Sequence, residues 1–410
     1  MKILFVGAYV PYPLNSGGRI RSYHLLRELA AQHEVHLLTL SHEPEFQRPS
    51  ALAEGRQSPP ETLRKMCRTI RTVPATARPE GTAHRLRRLL HNPSDILIGR
   101  SSPDMEAELC TALGREPFDL VFLDEMGTER YLGLLAGQRM VLSKHNCEWR
   151  LLRQQTRYKA SRPWAWALSW LETEAVRRPE NAVASQVHRV LVASQADRAA
   201  LQKAAPYVRI DVIPNGVNVA EYTPTSSQGH HRLLFIGAMF WYPNVDAMRW
   251  FCRTIWPRVQ RAKPAACFDW VGCGPAARIL SLDSTRSVQV IPDAPDVRPY
   301  LARAAAFVVP LRIGAGTRLK ILEAMAAGRA VVSTSVGAEG LELQPGQEFL
   351  LADSPTDFAA ACTQLLGDHA RRDRLGLMGR RAVESRYDWS IALADLNRLC
   401  VEVSEGQACR

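Results

Sequence analysis

The sequence predicts an α/β chain of two doubly wound, Rossmann-like domains. Its 410 residues are too many for one ordinary core. Short, nearly continuous apolar runs recur at 3–6, 35–40, 120–123, 140–142 and 190–192, and again at 233–236, 268–271, 288–291, 307–309 and 330–332. Amphipathic helical pattern separates each run from the next, the mark of parallel strands covered on both faces. Two such series, parted by a turn-rich break, define two domains of this kind.

Taken in order, the chain opens with Met1-Lys2-Ile3-Leu4-Phe5-Val6-Gly7. This apolar stretch is too short for a signal peptide and closes on a glycine, hence a buried first strand. Gly17 and Gly18 fall in the loop between that strand and a helix expected from Arg19 or Ile20, with Arg21 just beyond. Residues 64–90 are rich in arginine (Arg64, Arg68, Arg71, Arg85, Arg87 and Arg88, with Lys65). They read either as a solvated helical face or as a patch for anionic lipid headgroups. His145, Asn146 and Glu148 follow the strand at 140–142. Residues 149–170 mix Trp149, Trp164, Trp166 and Trp170 with Arg150, Arg153 and Arg157, which suits a membrane interface and inter-helix packing equally. Ser194, after the run at 190–192, reads as structural.

Ile213-Pro214-Asn215-Gly216-Val217-Asn218 marks the junction, because Pro214 ends a strand and Asn-Gly makes a turn. The predicted domains are therefore 1–215 and 216–388, with a helix in 389–410 packing back on the first.

Composition narrows the function classes. Hydrophobic content of 46% fits a globular protein, and a net charge of +11 favours anionic partners: phosphorylated substrates or an anionic membrane surface. Neither zinc-finger spacing nor an RNA-recognition aromatic motif occurs, so nucleic acid is not an expected partner. The nine cysteines include no C-x-x-C pair, which argues against zinc or a disulfide framework and for a reducing cytoplasm. No run of about 18 apolar residues exists to span a bilayer. The expected location is cytoplasmic, with peripheral attachment to the inner face of the plasma membrane as the candidate refinement.

Chemistry concentrates in Pro310-Leu311-Arg312-Ile313-Gly314-Ala315-Gly316-Thr317-Arg318-Leu319-Lys320-Ile321-Leu322-Glu323-Ala324-Met325-Ala326-Ala327-Gly328. A strand ends at Pro310, a glycine-bearing loop follows, and a helix is expected from near Thr317 to Gly328, a natural C′ residue. Leu319, Leu322 and Met325 or Ala326 share the core face, whereas Lys320 and Glu323 share another. Free amides at a helix N-terminus suit phosphate, and Gly314 and Gly316 let the backbone approach it. Arg318 and Lys320 add the full charges that a diphosphate leaving group requires. Glu323, tilted towards the N-terminus, is placed to accept from two vicinal hydroxyls such as those of a ribose. The plainer alternative is surface charge, with Glu323 pairing Lys320.

The stretch from Lys320 to Val332 resembles the C-terminal signature of group 1 glycosyltransferases (glycosyltransferase family 4, retaining, GT-B fold). Pro11-Tyr12-Pro13 to Gly17-Gly18 is similar to that family's N-terminal glycine loop, Ile213 to Asn218 to its interdomain motif, and Val271-Gly272-Cys273-Gly274-Pro275 to its second-domain glycine turn. His145-Asn146-Cys147-Glu148, Gly237-Ala238-Met239-Phe240-Trp241-Tyr242-Pro243-Asn244 and Arg312 to Glu323 most resemble a subgroup associated with bacterial exopolysaccharide synthesis. The resemblance implies two domains facing across a cleft. It also implies transfer of a sugar from a nucleoside diphosphate sugar to a hydroxyl acceptor with retention of configuration. A lipid-linked or polysaccharide glycan would accept, in cell-surface polysaccharide synthesis.

Two departures bear on the site. Where the family carries the first glutamate of an E-x7-E pattern, this chain has Ala315. Where it carries an arginine and then a lysine after the second domain's first strand, this chain reads Gly237-Ala238-Met239-Phe240-Trp241-Tyr242. Arg318 and Lys320 are then the expected diphosphate clamp. The nucleotide-sugar site comprises Glu323, Gly314, Ala315, Gly316, Thr317, Gly17, Gly18 and Gly237, and His145 is expected to hydrogen-bond a donor-sugar hydroxyl. No Asp-x-Asp motif occurs, so neither metal nor cofactor is expected beyond the donor itself. Two rivals use the same fold: a sugar-nucleotide epimerase, which needs a carboxylate pair not evident here, and a sugar-nucleotide-binding protein without transferase activity, motivated by Ala315.

Overall fold

A computed structural model describes residues 1–41, 61–75, 102–124, 127–158, 163–224, 231–274, 287–314 and 316–406. The chain divides into two compact units, Met1–Pro214 with Leu393–Arg410, and Asn215–Ala392.

Unit 1 is built on a parallel sheet of β1 (Lys2–Gly7), β2 (Glu34–Ser41), β3 (Thr69–Pro74), β4 (Leu120–Asp124), β5 (Met140–Lys144), β6 (Arg189–Val192) and β7 (Ile210–Val212), in the order β3-β2-β1-β4-β5-β6-β7. The helices are α1 (Gly17–Ala30), α2 (Glu61–Met66), α3 (Pro103–Arg115), α4 (Glu148–Tyr158), α5 (Pro163–Ala184) and α6 (Gln195–Ala204). Strands β1, β4 and β5 are almost wholly buried, as near-continuous apolar runs demand when helices cover both faces. Phe5 and Phe122 stack across the β1–β4 pair with centroids 5.1 Å apart. Winding departs from β1 in one direction to β2 and resumes on its other side at β4, so the topological switch lies between β1 and β4.

Unit 2 repeats the plan with β8 (Arg232–Ile236), β9 (Cys267–Gly272), β10 (Val288–Pro292), β11 (Ala306–Val309), β12 (Ala330–Ser333) and β13 (Leu350–Leu351), ordered β10-β9-β8-β11-β12-β13. All are parallel, and the switch falls between β8 and β11. Its helices are α7 (Tyr242–Trp250), α8 (Trp256–Ala262), α9 (Arg298–Arg303), α10 (Leu319–Ala326), α11 (Pro355–Gly367), α12 (His369–Arg386) and α13 (Trp389–Ala392), with a π-helical turn at Phe251–Ile255 joining α7 to α8. That turn seats Phe251 against Trp256, Phe268 and Phe358 in the aromatic core. The last helix, α14 (Leu396–Ser404), belongs to unit 1, where Asn397 donates to Glu28 of α1.

All ten apolar runs are strands. The structure corrects four expectations. The arginine-rich stretch is not one helical face: α2 ends at Met66 and Thr69–Pro74 forms an edge strand beside β2. Its Thr-Ile-Arg-Thr-Val alternation favours a strand, and an arginine pointing outward blunts an edge. Arg85, Arg87 and Arg88 lie outside the described residues. The first helix starts at Gly17, earlier than expected, because Ser16 caps it by accepting from the Arg19 amide. Helix α10 starts at Leu319, with Arg318 as the capping residue in extended conformation, so the loop before it is two residues longer than expected. Finally, 389–403 is two helices, since the chain passes from unit 2 to unit 1 after Ala392. None of the described cysteines is in a disulfide. Among the described residues no helix is long and apolar enough to cross a membrane.

Candidate functional site

In open parallel sheets, ligands bind beyond the carboxyl ends of the strands at the switch point. In unit 2 that place is made by the loop after β8, starting at Gly237, and the loop after β11, from Pro310 to Arg318. The second loop is held from several sides. Thr334, just after β12, donates its hydroxyl to the Leu311 carbonyl, and Asn215 donates to the Thr317 hydroxyl at 2.6 Å. Gly316 has φ of +73°, which favours glycine, and Gly314 leaves the space that the Arg318 guanidinium occupies. Ala315 lies outside the described residues.

Helix α10 then delivers the charged pair. Leu319, Leu322, Met325 and Ala326 are buried as the spacing demands. A Schellman motif ends the helix: Gly328, at φ +71°, donates to the Met325 carbonyl at 2.8 Å and Arg329 to that of Ala324 at 2.9 Å. On the other face, partly buried Lys320 donates to the Asn244 carboxamide at 3.0 Å and rests 4.2 Å from the centroid of the Phe235 ring. Gly237 makes this possible, because a Cβ there would stand 2.7 Å from the Lys320 ammonium and 2.7 Å from Asn244. Trp270 fixes that turn by donating to the Gly237 carbonyl at 3.1 Å. Gly237 thus acts by letting Lys320 through.

Burial, with Arg318 nearby, pushes the Lys320 amine down to about 7, against the partial opposing effect of Glu323. Glu323 is raised above the usual carboxylate range, chiefly by burial, while Lys320 and a hydrogen bond from Tyr222 pull the other way. Among the described residues no ion pair joins Lys320 to Glu323, and Lys320 turns to Asn244 instead. An amine held near neutrality, a second cation two residues before it at the helix cap and a carboxylate at i+3 can together meet an anion with an adjacent diol.

Unit 1 has a polar cluster at its own switch point. His145, directly after β5, meets Asp124, the last residue of β4, at 2.9 Å through Nε2. Ser22 of α1 donates to the same carboxylate. The Tyr9 hydroxyl lies 3.3 Å from His145 Nδ1. The carboxylate partner keeps the proton on Nε2 and leaves Nδ1 an acceptor facing Tyr9. Gly18 is where the Tyr9 hydroxyl packs, since a Cβ would collide with it. Gly17 opens the helix one residue earlier. Arg21 is fully enclosed and Arg19 nearly so, which removes both from the solvent-facing surface.

Behind His145, Lys144 is buried with Glu129 at 3.3 Å and Glu180 at 3.2 Å. Burial alone would lower its pKa, but Glu180 and Glu129 outweigh burial and hold the ammonium charged. Glu180 also accepts from the Glu148 and Trp149 amides at 3.1 Å, capping α4, so Glu148 serves as a helix start. Ser194 caps α6 by accepting from the Asp197 amide. At the amino ends of the strands, Glu34, His36 and Glu116 each bring a ligand-type atom within 4.8 Å of the others. Lys2 already pairs Glu116 at 2.6 Å there.

Sequence reasoning missed Tyr9, Asp124, Tyr222, Phe235 and Asn244. Asp124 was within reach, as a carboxylate closing an otherwise apolar strand. The others act through tertiary contacts.

Comparison with known proteins fits this architecture. Residues 16–221 match the family described as Glycosyltransferase Family 4, and residues 230–368 match Glycosyl transferases group 1. A sucrose-phosphate synthase from Thermosynechococcus elongatus superposes with TM-score 0.71 at 17% identity, covering 99% of this chain and 100% of that one. Anabaena HepE, in complex with UDP-glucose, gives TM-score 0.66 at 14% identity, covering 98% and 100%. An uncharacterized 44.6 kDa protein in the cps region of Klebsiella pneumoniae is 26% identical over 135 residues, 31% of this chain and only 35% of that protein. The two doubly wound units make this a GT-B fold. The chain belongs to Glycosyltransferase Family 4, and so to the glycosyltransferases.

Proposed function

We propose that the protein transfers a sugar from a nucleoside diphosphate sugar to a hydroxyl of a lipid-linked or polysaccharide acceptor, with retention of configuration, in cell-surface polysaccharide synthesis. One observation carries the donor reading. Lys320 and Arg318 lie at the amino end of α10, on the β8–β11 switch point, with Glu323 one turn further along the same face. The helix amides and both cations take the diphosphate, and Glu323 accepts from the ribose diol. That Anabaena HepE was solved with UDP-glucose and that TarM from S. aureus was solved with UDP support the donor class. The relative in a cps region supports surface polysaccharide as the product.

In this reading, the acceptor hydroxyl attacks on the face the leaving group departs from, and the departing diphosphate takes its proton. Charge on the leaving oxygen grows as the bond breaks, so Lys320 and Arg318 stabilise the transition state more than the bound donor. Fixed cations do the work that a bridging metal does elsewhere. His145, oriented by Asp124, positions a donor-sugar hydroxyl. An inner-membrane surface is where a lipid-linked acceptor is met. The test is product analysis with a panel of nucleoside diphosphate sugars. Sugar transfer or slow donor hydrolysis is expected. Conversion of the donor to its C2 epimer without acceptor, or binding with no turnover, would replace the reading by an epimerase or a binding protein.

A further inference from the structure

Helices α4, α5 and α6 of unit 1 enclose a groove of about 770 Å³, and none of its lining residues is among those assigned above to the donor. That volume is within the range of small-molecule sites, roughly 300–1,000 Å³. Trp166 and Trp170, one turn apart on α5, line it and remain 44% and 49% exposed. Large aromatic faces left half in solvent on a helix are ligand-sized apolar surface without a protein partner.

Two further lining residues hold polar atoms shielded from solvent and unsatisfied. The Trp149 indole N–H and the Asn181 side-chain oxygen have no hydrogen-bond partner among the described residues. Both atoms lie beneath the groove surface, and leaving them unmatched costs the folded protein stability. The rim is positive. Arg177 is neutralised by Glu174 at 2.6 Å, whereas exposed Arg153 and Lys203 have no ion-pair partner among the described residues.

We propose that this groove binds an acidic oligosaccharide. The C–H faces of sugar rings stack on Trp166 and Trp170, and carboxylates meet Arg153 and Lys203. A purely lipid-facing surface does not need the concavity. The inference goes beyond the donor-site reading and does not depend on it, because binding is read without turnover.

The test is titration of the full chain with tetragalacturonate and with its methyl ester, an uncharged ligand of the same shape, followed by calorimetry and tryptophan fluorescence. Tetragalacturonate is expected to bind, the ester more weakly, and added salt to narrow the gap. The double substitution Arg153→Gln with Lys203→Gln should weaken the acid roughly tenfold, the size of two exposed ion pairs, and leave the ester unchanged. Trp170→Ala should weaken both. These side chains are exposed, and circular dichroism confirms folding of each variant. Equal affinity for acid and ester overturns the acidic class. Absence of binding to either at millimolar concentration overturns the site. Co-sedimentation with anionic vesicles that depends on Arg153, Lys203 and Trp170, without saccharide binding, makes the groove a lipid contact and overturns the proposal.

Discussion

Replacing Lys320 by methionine separates the function of this residue from its cost. The amine's ordinary value is 10.5, and its surroundings hold it at about 7. At neutral pH this costs the folded state up to about 5 kcal/mol, at 1.36 kcal/mol per pH unit. Partial solvent contact makes that an upper bound. The sign follows from linkage. Below pH 7 the lysine is protonated both folded and unfolded, and the full cost is present. Between pH 7 and 10.5 the unfolded chain binds more protons, so wild-type stability rises with pH and the cost fades. Lys320→Met should therefore raise the urea midpoint most at pH 6 to 7, with a gain that shrinks towards pH 10. Methionine keeps the stem against Phe235 and leaves Asn244 one donor short, which trims the gain. Catalysis should move the other way. Two unit charges about 4 Å apart interact by roughly 4 kcal/mol at an effective dielectric of 20. The leaving oxygen gains part of a charge in the transition state, so a loss of about 10²-fold in turnover is expected, with a smaller loss in donor affinity. Urea unfolding across pH and single-turnover kinetics at saturating donor measure the two effects. An unchanged midpoint at pH 6 together with near-normal turnover would refute the argument.

Arg318→Ala should likewise lower turnover about 10²-fold, and Arg318→Lys should rescue it only in part, because a point charge cannot reproduce a planar guanidinium; equal rates for Ala, Lys and wild type in single turnover move the clamp elsewhere. Glu323→Ala should weaken nucleotide binding by about 1.5–3 kcal/mol, read by calorimetry, and unchanged affinity removes the ribose assignment. Turnover should survive EDTA, whereas complete loss restored by magnesium or manganese would contradict a clamp of fixed cations. Sedimentation with liposomes should rise with anionic lipid and fall with salt, and equal partition to neutral vesicles leaves the surface arginines as a solvated face.

The sheets were readable from sequence because their strands are buried on both faces, so apolar content alone marks them. Strands β3 and β13 were not, because an edge strand such as Thr69–Pro74 buries little and carries arginine. Lys320, Glu323 and Gly314 after β11 and Gly237 after β8 were legible as residue types at the ends of two adjacent strands. Their physical roles were not. Gly237 stands where Lys320 of α10 needs room and Gly314 where Arg318, four residues on in the same loop, needs it, facts set by the folded backbone. Gly18 likewise accommodates the Tyr9 hydroxyl. The partners that tune the site, Asn244 under Lys320 and Tyr222 on Glu323, lie 76 and 101 positions away in sequence, beyond any local pattern. The Asp124–His145 contact spans 21 residues and joins the ends of two adjacent strands, so it follows from strand order.

Lys320 is the cation proposed here to meet the donor diphosphate. Nitrogen-15 NMR of the lysine ammonium, titrated over pH 5.5 to 10 with and without a nucleoside diphosphate, tests it directly. Lys320→Met supplies the assignment by deleting one resonance. A free-state pKa of about 7 is expected to rise by more than about one unit when the diphosphate binds, because a neighbouring anion favours the charged form. A Lys320 pKa that is the same with and without saturating nucleoside diphosphate would contradict it.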